Sequence, residues 1–219
     1  MSNVRKIITV AMMLAVPCVA MAQNEWESPS KAAEKQESRK QQPVSDSDKK
    51  YLEGALPMVD GKIVFTVDED VPGKSAQEIY DIVFAVVDSM THAKNQFPES
   101  QIAIVNKAEN IIAAKFREWL VFKSSALSID RTIFNFVLIA NCTDGHLNMT
   151  MSRLSYVYEA DREGGGLTTS AEEWITDKYA LNKSKTKLRR YAGKFRRKTI
   201  DRMEEIAQTV KNALKSANL

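Results

Sequence analysis

A chain of 219 residues, 44% hydrophobic and 27% charged, has the composition of a soluble globular protein and room for one ordinary domain or at most two small ones. Its net charge is +3, and its two cysteines, Cys18 and Cys142, are too few for a disulfide framework.

Residues 1–22 read as a secretory signal peptide. Arg5 and Lys6 form a short positive region, Ile7 to Val19 is apolar apart from Thr9 and Pro17, and Ala20-Met21-Ala22 is a small-x-small cleavage site. The apolar run of about 16 residues is shorter than the 18 to 20 that span a bilayer, which argues against a membrane anchor. Export is therefore expected, with Gln23 as the mature N-terminus and a periplasmic or cell-envelope location. A lipid-modified Cys18 is the alternative exported form, although Pro17 directly before it fits poorly with lipoprotein processing. Cleavage removes Arg5, Lys6 and Cys18, which lowers the net charge to +1 and leaves Cys142 without a disulfide partner. Stability must then come from the core.

Residues 23–49 are rich in Ser, Gln, Lys and Glu, with Trp26 the only large apolar side chain. Such a segment buries too little surface to offset its ordering entropy, so a disordered polar linker is expected. The folded domain is assigned to residues 50–219. Asp60-Gly61 is a strong turn signal, and Lys62 to Val67 is a β-branched run suited to a strand. Gly73-Lys74-Ser75 has the look of a phosphate-binding loop, but such a loop needs a first glycine five residues before Gly73. That position is Asp68, and Pro72 removes a backbone donor. The better reading is a helix start, with Ser75 and Glu78 as a capping box and Ile79, Ile82, Val83, Val86, Val87 and Met90 on one apolar face. Lys74 is then a solvated residue at the helix entry.

Four strands follow. They are Gln101 to Val105, Ile111 to Phe122, Thr132 to Cys142, and a return from His146 after the tight turn Thr143-Asp144-Gly145. On the return strand the apolar alternation Leu147, Met149, Met151 slips to Leu154, Tyr156, Tyr158, which predicts a bulge near Ser152-Arg153. Gly164-Gly165-Gly166 is expected to end the sheet. Ser170 with Glu173, or Thr169 with Glu172, offers another capping box, and an amphipathic helix from about Phe195 to Lys215 carries Ile200, Met203, Ile206, Val210 and Leu214 across the sheet. The order strand, helix, four strands, helix is that of a layered α+β domain.

The run GALPMVDGKIVFTVDEDVPGKSAQEIYD, the hairpin CTDGHLNMTMSRL and the closing helix resemble the exported bacterial domain-of-unknown-function family 4468, over about Leu52 to Leu214. The resemblance implies a TBP-like β-α-β4-α domain, an antiparallel sheet packed against N-terminal and C-terminal helices. It implies no definite activity, because a shape does not carry a function with it. The chain departs from the family pattern after Asp144-Gly145, where His146-Leu147 replaces an arginine–aromatic pair.

Few residues could carry chemistry. Cys142 and His146 flank one turn, close enough to suggest nucleophilic or metal chemistry, yet Cys142 also continues the apolar alternation of its strand, and a small buried hydrophobe is the stronger reading. His92 follows the first helix and needs no special role. Glu118 and Asp130 are candidate carboxylates for a hydrolase, and no nucleophile elbow or cofactor motif accompanies them. Gly164-Gly165-Gly166 before a helix could hold an anion, but Glu163, Glu172 and Glu173 beside it favour a connector. Between Asp177 and Asp201 there is no acid, and the run of Lys178, Lys183, Lys185, Lys187, Arg189, Arg190, Lys194, Arg196, Arg197 and Lys198 suggests either a solvated shoulder or a patch for anionic lipid or glycan. Export makes nucleic acid the least expected partner. The leading expectation is a non-catalytic envelope domain that binds a protein partner or a small apolar ligand between sheet and long helix. A hydrolase using carboxylates or Cys142 is the alternative from another class.

Overall fold

A computed structural model describes residues 46–160, 162–163 and 166–217. The expected signal peptide, nearly all of the expected linker, and Gly164 and Gly165 lie outside the described residues. The linker was expected to run to Lys49, yet a 3-10 helix occupies Asp46–Tyr51. Lys50 bridges to Asp201 and Glu204 at 2.8 and 2.9 Å, and Asp48 to Arg197 at 2.6 Å, so this segment belongs to the domain.

Strands β1 (Met58–Val59) and β2 (Lys62–Ile63) form a small hairpin of their own. Asp60 and Gly61 turn it with φ of 48° and 75°, the two left-handed residues that a tight Asp-Gly hairpin requires. The single strand expected over 62–67 is thus divided, and β3 (Phe65–Asp70) begins the main sheet.

Helix α1 (Ala76–Thr91) starts as its sequence dictates. The Ser75 hydroxyl accepts from the Glu78 amide, and the Glu78 carboxylate accepts from the Ser75 amide, so two otherwise orphaned donors are satisfied. Ile79, Tyr80, Val83 and Val87 are buried on its inner face. At its other end the His92 ring lies 2.8 Å from the Asp88 carbonyl, a structural role at the helix terminus.

Strands β4 (Gln101–Asn106), β5 (Ile111–Ser124), β6 (Ile129–Thr143) and β7 (His146–Tyr158) form the antiparallel meander. The sheet order is β3-β7-β6-β5-β4, so α1 carries the chain from one edge of the sheet to the other. The predicted bulge is present: from Asn135↔Ser155 to Val137↔Ser152, β7 spends one more residue than β6, and Arg153 takes φ 55° there. The sheet does not end at the glycine run. β8 (Leu167–Ser170) returns to pair with Ser155–Tyr158, end to end with β3 along the outer edge of β7.

Two short helices, α2 (Ala171–Trp174) and α3 (Asp177–Ala180), lead to the long α4 (Ala192–Ser216). Of the two possible caps, Ser170 with Glu173 is the one used. Helix α4 packs against α1 and β5, and both long helices lie on the same face of the sheet. Between them and the sheet the core is filled by rings. Phe116 stacks on Phe136 at 4.7 Å, Phe134 on Tyr156 at 5.4 Å, and Phe195 of α4 meets Tyr156 edge-on at 5.1 Å. The Tyr156 hydroxyl is satisfied by Thr199 at 2.7 Å. No described helix is long and apolar enough to cross a membrane.

Candidate functional site

Strand alternation sorts the meander into two faces. Ile112, Ala114, Phe116, Glu118 and Leu120 of β5 are buried beneath the helices, as are Phe134, Phe136, Leu138 and Ala140 of β6. Their neighbours in sequence point the other way, and no described element covers that second face. A solvated face of an antiparallel sheet is ordinarily polar. Here it carries two apolar rows in register across the strands. One is Trp119, Ile133 and Val157, and the other is Ile104, Ala113 and Ile139, with Ile104 60% and Ile139 36% exposed.

The first row borders a cleft of about 520 Å³. Ile133 and Val157 form part of its floor, with Trp119, Arg131 and Tyr158 around it. Trp119 is held by two neighbours that share the cleft wall with it. Phe97, whose amide donates to the Arg117 carbonyl, packs against its ring at 4.9 Å, and the Arg131 guanidinium lies 3.7 Å from its centroid. Arg131 sits on the outward side of β6, diagonal to Trp119 across the β5–β6 register.

The candidate chemistry residues are drawn into the scaffold. Cys142 pairs with Leu147 across the hairpin and is 2% exposed on the helix face, whereas His146, paired with Thr143, points from the opposite face. The hairpin therefore separates thiol and imidazole, and burial pushes the Cys142 thiol up to about 11. His146 lies 3.0 Å from Asp70 and 3.3 Å from Asp68, and the hydrogen bond to Asp70 raises its pKa above the ordinary 6.5. Glu118 is 0% exposed and accepts from Arg202 Nε at 2.7 Å and Nη2 at 2.8 Å, with Gln96 also donating. Burial works against the Arg202 charge, but the bonds to Glu118 outweigh it and hold that guanidinium above its ordinary value. Asp130 is bridged by Lys194 at 2.8 Å and accepts from the Tyr158 hydroxyl at 3.0 Å. Among the described residues no three His, Cys, Asp or Glu side chains gather to hold a metal ion.

The basic run is not exposed along its whole length, and Arg196 is the member whose expected place in a surface patch is corrected. Arg196 is 0% exposed and donates to the carbonyls of Tyr51 at 2.6 Å and Ile175 at 2.9 Å while pairing with Asp177 at 2.7 Å, so it cannot reach a lipid or glycan. Burial lowers its pKa, and Asp177 offsets that only in part. Lys185 pairs with Glu53, Lys194 with Asp130 and Arg197 with Asp48, while Arg189 Nε donates to the Leu181 carbonyl. Lys183, Lys187 and Arg190 are exposed, and Lys198 is half-buried beside Asp201 in a separate cleft. The aromatic-and-arginine arrangement around Trp119 was not anticipated. The odd-numbered alternation of β5 and β6 could have shown it, because Trp119 and Arg131 fall outside the core-facing register.

A model for a domain of unknown function with a TBP-like fold, DUF4468, matches residues 65–157. A crystal structure of a DUF4468 family protein from Bacteroides ovatus ATCC 8483 is 40% identical, with a TM-score of 0.70, covering 78% of this chain and 96% of that one. The chain belongs to the DUF4468 family. A TBP-like protein from Parabacteroides distasonis ATCC 8503 superimposes with a TM-score of 0.59 at 20% identity, over 73% of this chain and 97% of that one, which supports the fold alone. No curated protein matches.

The two sequence motifs that mark this DUF4468 protein meet in space. The Val71 amide donates to the Gly145 carbonyl and the Gly145 amide to the Lys74 carbonyl, both at 2.8 Å. Asp144 at the hairpin tip accepts from the Ala76 amide at 2.8 Å, in the first turn of α1. Lys74 stays half-exposed at the helix entry, and its ammonium also donates to the Ala217 carbonyl at the end of α4. The segment that looked like a nucleotide loop joins α1, α4 and the β6–β7 hairpin. At the departure from the family pattern, Leu147 fills the core and His146 faces the β3 carboxylates.

Proposed function

We propose that this DUF4468 protein is an exported, non-catalytic binding domain of the cell envelope, and that its open sheet face is the recognition surface. The observation that carries the reading is the one-sided sheet, apolar across two in-register rows on the side that no described element covers. Ile104 and Ile139 are exposed there and Trp119 and Val157 half-buried, and apolar surface left open on a soluble domain marks an interaction site when it is contiguous. The features of residues 1–22 support export. The non-catalytic reading is supported by the fates of Cys142, Glu118 and Asp130, which are buried or already paired. Phe134, Phe136, Tyr156 and Phe195 fill the middle of the space between sheet and long helix. The cleft of about 520 Å³ at its edge, between β5 and α4, is lined by charged groups including Glu118, Lys198, Asp201, Arg202 and Glu205, which suits a small apolar ligand less well than the outer face does. The occupant belongs on the outer face.

The test is a photocrosslinking residue placed at Ile139 on the open face and, separately, at Gln208 on the exposed side of α4, in cells that make the protein. A discrete light-dependent adduct from Ile139 and none from Gln208 is expected. Equal adducts from both positions, or none from Ile139, would sink the reading. Sequencing of the purified protein's N-terminus tests export separately, with Gln23 as the expected first residue.

A further inference from the structure

The geometry points to the cleft beside Trp119 as a site for a small organic acid, a carboxylate carried on an apolar body, with Arg131 receiving the carboxylate. This rests on the open-face reading above and names the ligand chemistry for one end of that face.

Charge decides the class. Of the ionisable groups around the cleft, Asp130 is neutralised by Lys194 at 2.8 Å and Glu159 by Arg162 at 2.7 Å. Arg131 is different. Its guanidinium lies over Trp119 at 3.7 Å, and its side chain makes no hydrogen bond or ion pair with a described residue. Among the described residues the cleft therefore presents one unbalanced positive charge. Arg131 is exposed, and a guanidinium held over an indole keeps N–H donors for a ligand in a planar fork that matches the two oxygens of a carboxylate.

The ligand's second half follows from the floor. Ile133 and Val157 form an in-register apolar pair, and Trp119 closes one side. A volume of about 520 Å³ lies within the range of small-molecule sites, which are mostly apolar with a few oriented polar groups. Phe97, also in the cleft wall, packs on Trp119 at 4.9 Å and restrains the indole, so the pairing of aromatic wall and cation exists before any ligand arrives. A strongly hydrated small anion such as acetate could use the charge and not the floor. A neutral alcohol could use the floor and not the charge. A medium-chain or aryl carboxylate uses both.

Octanoate is the probe, titrated into the purified isotope-labelled protein and followed by NMR, with acetate and 1-octanol as half-ligands. Octanoate should shift the Trp119 indole signal, assigned through Trp119→Phe, together with the Ile133 and Val157 amides, and bind at least ten-fold more tightly than either half-ligand. Arg131→Gln should weaken octanoate by about ten- to a hundred-fold, the usual cost of a charged hydrogen-bonded pair. Arg131→Lys, which keeps charge without the fork, should fall between. Unchanged amide spectra away from the cleft establish that each variant is folded. Octanoate binding that is equal in the wild type and Arg131→Gln, equal to octanol, or centred away from Ile133 and Val157 would overturn the assignment. If octanoate fails while the Ile139 adduct still forms, the open face stands and the organic-acid assignment falls.

Discussion

His146 and Cys142 are four positions apart around one turn, yet strand alternation puts them on opposite faces of the sheet. Their consequences differ accordingly. Cys142, buried and with its thiol pushed up to about 11, should react with a disulfide reagent at neutral pH only as fast as the domain opens, and quickly in denaturant. Rapid labelling of the folded protein would contradict that placement. His146 is raised in the folded state by Asp70 and also by Asp68, so its proton is held more tightly folded than unfolded. Its contribution is full below the unfolded value near 6.5 and is lost as pH rises through the higher folded value. The urea midpoint of wild type should therefore fall relative to His146→Gln between about pH 6 and 8, the window set by the ordinary histidine value. Parallel midpoints across that window would remove the clamp. Glu118 makes a sharper case. Truncation to Ala removes the buried partner of Arg202 and leaves it only the exposed Glu205 at 3.0 Å, and denaturation should show a loss of up to about 3–5 kcal/mol. A cost below about 1 kcal/mol, the scale of an exposed pair, would mean that solvent reaches the site. Sequence could nominate Glu118 as a carboxylate but could not reveal its partner, because Arg202 lies on another element more than eighty positions away.

At the scale of elements, local signals were legible wherever their partners are close in sequence. Ser75 and Glu78 cap α1 as their spacing requires, and the slip of the β7 alternation marks the Arg153 bulge. Ser75→Ala should cost about 1 kcal/mol in a denaturation measurement, the usual value of an N-cap hydroxyl. A cost near zero would mean that Asp144, which accepts from the Ala76 amide across the joint, carries the helix start alone. What stayed hidden were pairings between distant segments. The return of β8 to the far half of β7 follows a glycine run that reads as a sheet end, and it pairs just past the bulge at Arg153. Beyond that kink the edge of β7 passes from β3 to β8. The basic run misled for a related reason. Counting like charges in sequence ignores acids contributed from Glu53, Asp48 and Asp130, and it cannot tell that Arg196 turns inward to tie Tyr51 and Ile175 to α4.

For the molecule as a whole, the division of one sheet into a packed face and an open face is the feature on which the proposed binding role rests. Order and fold class were readable because periodicity changes from 3.6 to 2 and back along the chain. The apolar character of the open face was not, since Ile139 and Val137 in an apolar strand look like core until the helices are placed on the other side. Adjacent residues of β6 make the distinction measurable. Leu138 is fully buried beneath the helices, and Leu138→Ala should cost about 2–5 kcal/mol through lost contacts and the cavity left behind. Ile139 has no described neighbour above it, and Ile139→Asp should stay within about 1 kcal/mol of wild type, as surface substitutions do, while the photocrosslink from a nearby open-face position is lost. Both effects come from neighbouring residues on one strand, so the backbone and its secondary-structure preferences are shared and only the face differs. If Ile139→Asp instead unfolded the domain, the outer face would be part of the core and the binding surface would have to lie elsewhere. A stable variant that no longer captures its occupant would locate recognition on the side of the sheet that the helices leave bare.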